Sequence, residues 1–180
     1  MARMPISQTA ALLAAMCCGA TFAAAQTSLE YQVKAAYLYN FAKFVTWPGG
    51  DASGSLTICV IGKDPFGSIL DDTVRGKNVR GQPIVIHRMP AGSHAVGCQI
   101  VFTGFSNDLC RIHATQPDWD GTLLVGEGDE FAKCGGMIGL TLKEGRVHFD
   151  INLESVTKAH LEVSSKLLEV ATIVPVAIRK

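Results

Sequence analysis

Apolar positions along this chain change their period twice. Between Ser28 and Trp47, Val33, Ala36, Tyr37, Phe41 and Phe44 recur at three- and four-residue steps, the spacing of one helical face. The pattern predicts a helix that starts near Ser28 or Leu29 and stops before Trp47-Pro48, because the residue before a proline disfavours helical angles. Asn40 falls inside the stripe, where a buried amide needs partners, so it is expected to anchor neighbouring backbone. The stripe reads as core before it reads as a ligand box.

From Leu56 onward the helical period gives way to short apolar runs. Leu56–Ile61 is continuous and bounded by glycines, which suits a buried strand. Asp64-Pro65-Phe66-Gly67 then opens a helix over Ser68–Val74, with Asp64 as cap and Pro65 at the first helical position. A turn at Gly81-Gln82-Pro83 leads to a second strand over residues 84–87. A third covers 99–102, Ser106-Asn107-Asp108 offers caps for a helix over 109–114, and a fourth strand covers 122–125. Strands alternating with helices predict an α/β fold, a single domain on a largely parallel sheet flanked by helices.

Near the C-terminus the period becomes two. Residues 137–142 and 146–153 are apolar-rich and separated by Lys143-Glu144-Gly145, which predicts an antiparallel hairpin with a three-residue loop. Val147, Phe149 and Ile151 share one face as core, while Arg146, His148, Asp150 and Asn152 share a wetter one. Helices are expected over 154–160 and 165–173, the last stopped before Pro175 and packed through Leu167, Leu168 and Ala171.

Residues 1–25 have the make-up of a secretory signal: Arg3, an apolar stretch over 10–20, then Phe22-Ala23-Ala24-Ala25 as a small-residue cleavage site. A lipoprotein signal fits less well, because Met16 and Cys17 stand where small residues precede a lipid-bearing cysteine. The expected mature domain is 26–180, exported to the periplasm. Its charge is nearly balanced, since the whole chain carries 16 Lys and Arg against 16 Asp and Glu. There is no basic stripe for nucleic acid and no run of about 18 apolar residues for direct membrane insertion.

Cys59, Cys98, Cys110 and Cys134 remain after the leader, and in an oxidising compartment they are expected in disulfides. Four cysteines allow three pairings, and spacing does not choose among them. His94-x3-Cys98 and Cys110-x2-His113 have zinc-like spacing, but they fall on separate rigid elements, so no metal is expected. Gly104-Phe105-Ser106-Asn107-Asp108 lacks the closing glycine of a hydrolase elbow, and no base can be assigned. Neither a catalytic residue nor a cofactor is expected.

Several segments together resemble the YfiR family of periplasmic regulators. They are Tyr39-Asn40-Phe41-Ala42-Lys43-Phe44 with Trp47-Pro48; Ile58-Cys59-Val60-Ile61-Gly62 with Asp64-Pro65-Phe66-Gly67; Gly135-Gly136-Met137-Ile138; and Val147-His148-Phe149-Asp150-Ile151-Asn152 leading to Ser164-Ser165-Lys166-Leu167-Leu168. The resemblance implies that Cys59 and Cys98 are paired. It departs at Gln99, where the family often has His, and it leaves Cys110 and Cys134 for a second bridge. It also implies a partner, the periplasmic sensor domain of a membrane-bound diguanylate cyclase, which the regulator represses. A homodimer is compatible with that role.

Gly128-Asp129-Glu130-Phe131 spells most of the GGDEF signature of such cyclases, but an exported chain does not meet GTP. It reads as a turn and a helix start. The surface expected to meet the partner lies at the C-terminal end: Arg146, His148, Asp150, Ser164, Ser165, Lys166 and Glu169, around apolar area left uncovered. A second class of function is a small-ligand receptor, with a pocket near the first helix or at the carboxyl ends of the parallel strands.

Overall fold

The computed structural model describes residues 27–47, 54–104 and 119–175. Helix α1 spans residues 27–44 and runs into β1 (Val45–Thr46). There follow β2 (Leu56–Ile61), α2 (Ser68–Val74), β3 (Asn78–Val79), β4 (Gln82–Met89), β5 (Ile100–Thr103), β6 (Leu123–Glu127) and α3 (Asp129–Lys133). The chain ends with β7 (Ile138–Lys143), β8 (Arg146–Ile151), α4 (Leu153–Lys158), β9 (Glu162–Val163), α5 (Ser165–Leu168) and β10 (Thr172–Ile173).

One eight-stranded sheet carries the fold, in the order β10-β8-β7-β6-β5-β2-β4-β3. β4, β2, β5, β6 and β7 are parallel neighbours, as the alternation of strands and helices predicts. β8 folds back antiparallel on β7, and β3 on β4. β1 and β9 form a separate antiparallel pair. Every residue of β2 and β5 is buried, because helices cover both faces of a parallel sheet.

α1 lies on the face that carries Phe149, with Tyr37 and Phe41 packed edge-on against that ring at 5.1 and 5.3 Å. α3 lies on the other face, where Gly126, Gly136 and Gly139 make room for it. A Cβ on Gly126 would stand 1.9 Å from the buried Phe131 ring, and one on Gly136 would stand 2.1 Å from it. The GGDEF-like stretch is therefore a helix start with Gly128 as N-cap and Phe131 as a core plug.

Five details differ from the sequence expectation. The buried face of α1 is Lys34, Ala35, Leu38, Phe41 and Ala42, while Val33 and Ala36 are exposed; the helix is rotated from the predicted stripe because small alanines face the sheet. The hairpin loop has two residues, not three: Lys143 pairs with Arg146, and Glu144 and Gly145 both take positive φ, the pattern of a tight turn matching strand twist. Asp64 does not cap α2 directly; its Oδ1 accepts from the Phe66 and Gly67 N–H groups, and Gly67 is the N-cap. β4 starts earlier than expected, in a small hairpin with β3 turned at Arg80-Gly81.

Most consequential is the C-terminus. The helix expected over 165–173 is a single turn, Ser165–Leu168, followed by β10. Thr172 and Ile173 are β-branched and find an open strand edge at β8, a long-range reward that local periodicity does not register. The leader, Pro48, Gly49-Gly50, the caps at 106–108, the helix over 109–114, Cys110 and His113 lie outside the described residues.

Candidate interaction surfaces and the disulfide core

The most constrained chemistry is the bond between Cys59 and Cys98, whose Cα atoms are 5.8 Å apart across 39 residues of sequence. Cys59 lies in the middle of β2 and Cys98 just before β5, and both are buried. Around it, Thr122 Oγ1 donates to the Cys98 carbonyl at 3.0 Å. Gln99 receives the Trp47 indole N–H on its carbonyl at 3.1 Å and the Thr57 N–H on its side chain at 2.7 Å. The indole therefore points inward. With the Cys98 sulfur in this bond, the zinc reading loses a ligand, and His94 is exposed. Among the described residues no three His, Cys, Asp or Glu side chains gather as a metal site. Cys134, half-buried at the C-cap of α3, is also disulfide-bonded.

At the carboxyl end of β6, on the side where open α/β sheets usually bind ligands, the first turns of α1 pack on the sheet. Lys34 Nζ meets Glu127 at the end of β6 and Glu30 on its own helix, each at 2.5 Å. Its ammonium also stands 4.7 Å from the centre of the Tyr31 ring, and Tyr31 packs edge-on against Phe66, which packs on Phe102. Burial alone would lower the Lys34 pKa, but the hydrogen bonds to Glu127 and Glu30 outweigh it and hold the group above its ordinary value. Burial and the Glu127 carboxylate raise the Tyr31 pKa. A lysine held this way is a strut joining helix to sheet.

The structure divides the expected partner-binding residues. Arg146 and His148 are exposed at the start of β8, on the face opposite Phe149. Asp150 shares their side of the strand but is only 3 % exposed, because it pairs with Gly139 beneath α3 and with Thr172 of β10. Asn152 is fully buried, donating to the Ala132 carbonyl at 2.8 Å and capping α4 through Ser155 N at 3.0 Å. Ser164 is half-buried and tied by its N–H to the Phe44 carbonyl at the end of α1. Ser165, Lys166 and Glu169 are exposed on α5 and its C-cap.

Leu167 is core. Val170 at 68 % and Ile173 at 55 % are not, so apolar area is left uncovered beside Lys166 and Glu169. Sequence reasoning placed Val170 on the last helix and saw Ile173 only as its end. Their exposure follows from the change of helix to edge strand.

A match to the YfiR/HmsC-like family covers residues 31–172. The chain belongs to that family. No curated protein matches it. The YfiR/HmsC-like family is one of periplasmic regulators in diguanylate cyclase pathways, regulatory rather than catalytic. It implies contact with the periplasmic sensor domain of a membrane protein. No described helix is long and apolar enough to cross a membrane.

Proposed function

We propose that this protein represses an inner-membrane diguanylate cyclase by docking on its periplasmic sensor domain through the C-terminal surface formed by α5 and β10. The observation that carries this reading is the exposure of Val170 and Ile173 beside Lys166 and Glu169. An apolar patch rimmed by charge is a usual sign of a protein contact. Arg146 and His148 form a second, separate polar patch and extend the surface only if the partner wraps round the β8–β10 end.

Redox gating, where it operates, attaches to the bridge at Cys134 rather than to Cys59–Cys98. The latter is shielded from reductant by burial, whereas Cys134 is half-buried, and accessible disulfides are the exchangeable ones. Charge reversal at Lys166 and Glu169 tests the surface. The expected result is a folded variant that no longer co-purifies with the cyclase and lets cyclic di-GMP rise. Full repression by that variant removes this surface from consideration.

A further inference from the structure

The other end of the sheet offers a different kind of contact. β4 pairs with β2 along Ile84–Met89 on one side, but β3 covers only Gln82 and Pro83 on the other. The Met89 carbonyl accepts from Gly62 N on the β2 side at 2.8 Å. Backbone groups alternate sides along a strand, so Val85 and His87 also face β2, and Ile84, Ile86 and Arg88 turn their N–H and C=O groups outward. No hydrogen bond reaches those groups from the described residues. An open edge of this length is a ready template for another strand.

Beside that edge runs a cleft of about 520 Å³ between the end of α2 and β4, lined by Val74, Gly76, Lys77, Asn78, Ile84 and Ile86. The charge around it is one-sided. Asp64 and Asp71 are held by Arg88, and Asp72 by Arg75. Lys77 and Lys43 instead stand 4.5 and 5.4 Å from the centre of the Tyr39 ring, and Arg80 donates to the Val45 carbonyl of β1 at 2.9 Å. None of these three cations has an ion-pair partner among the described residues. Lys77 belongs to both features, so the open edge and the uncompensated cations are continuous.

We infer that the β4 edge takes up an extended acidic segment of a partner protein as an added strand. The segment's backbone pairs with Ile84, Ile86 and Arg88, its apolar side chains enter the cleft, and its carboxylates meet Lys77, Lys43 and Arg80. Main-chain hydrogen bonds supply affinity in this mode of recognition, and the cations select against basic strands. The inference does not depend on the α5–β10 surface, which the cyclase co-purification experiment tests by itself.

The probe is a terminally blocked peptide alternating glutamate and valine, followed by amide chemical shifts in the full mature chain. Shifts should centre on Ile84, Ile86 and Arg88 and weaken as salt rises. The double variant Lys43→Glu, Lys77→Glu should bind about tenfold less tightly, as expected for two rim charges. A peptide N-methylated at alternate residues should not bind, and this control leaves the protein untouched. The inference is overturned by equal binding of a lysine–valine peptide, by no binding or shifts confined to the β10 end, or by edge shifts that appear on concentrating the protein without peptide. The last result would make a second copy of this chain the occupant.

Discussion

The two ends of the eight-stranded sheet are finished in opposite ways. At one end β10 is two residues long. Val174 N bonds to the Ile151 carbonyl at 2.9 Å, so Thr172 also faces β8 and only Ile173 turns its backbone outward. That edge is too short to template a strand, and what it offers is side chains, Val170 and Ile173. At the other end β4 turns the backbone of Ile84, Ile86 and Arg88 outward, beside cations that have no ion-pair partner among the described residues. Under the two proposals one sheet presents two recognition chemistries, apolar at the β10 end and main-chain with positive charge at the β4 end. α1 spans both, with Phe41 against Phe149 near the first and Tyr39 against Lys77 near the second.

The largest expected effect comes from cutting that span. Phe41 is fully buried and packs on Tyr37 and Phe149, so Phe41→Ala should cost about 3–5 kcal/mol in denaturant unfolding. The loss should fall unevenly, with amide protection dropping first in β8 and β10 and later in β2 and β4. Equal loosening of both ends would show that α1 does not distinguish them.

Removing the Cys59–Cys98 bond by a double serine substitution should cost about 4 kcal/mol in the chain-entropy model for a loop of this length. The bond ties β2 to the start of β5, so β4, which pairs with β2, is the edge expected to loosen. Non-reducing peptide mapping gives the matching check on Cys134, whose proposed partner is Cys110. Recovery of Cys110 as a free thiol from the folded protein would reject that bridge.

Much of this was legible in the sequence, and the remainder has physical reasons. β2 and α2 could be read to the residue because glycines and Asp-Pro-x-Gly punctuate them. The face of α1 could not, because Ala35 and Ala42 carry little hydrophobic signal and Lys34 carries the wrong one. Burial of Lys34 depends on Glu127, 93 residues away. Asp150 read as a wet position because alternation reports which side of a strand a residue is on, not whether a helix covers that side. β10 read as helix because its reward is pairing with a distant strand.

An intermediate effect is expected at the Lys34 strut. Glu127→Ala leaves Lys34 buried with Glu30 alone, and losing a hydrogen bond between charged groups at a buried site costs about 2 kcal/mol. Because the folded-state pKa of Lys34 is raised, its contribution is fully present below the ordinary lysine pKa of 10.5. It disappears only as pH climbs through the higher folded value. The wild type should therefore hold this contribution at neutral pH and lose it at strongly alkaline pH, and the variant should show a smaller alkaline decline in melting temperature. The two ends of the sheet should respond alike, since the strut stands at the carboxyl ends between them.

The smallest effect on stability is expected at Ile173, and it bears most directly on the contrast between the ends. Ile173 is more than half exposed, and its backbone N–H and C=O face away from β8, so Ile173→Asp removes no ladder hydrogen bond and little buried area. Exposed substitutions of this kind stay within about 0.5 kcal/mol. Asp at an edge also discourages unwanted strand pairing, so solubility should hold or improve. If the β10 end works through side chains, this near-silent change should abolish co-purification with the proposed cyclase partner while leaving acidic-peptide shifts at Ile84, Ile86 and Arg88 intact. Loss of the peptide shifts as well would mean the two ends are coupled through the sheet. Retention of both would leave the β10 end without a recognition role.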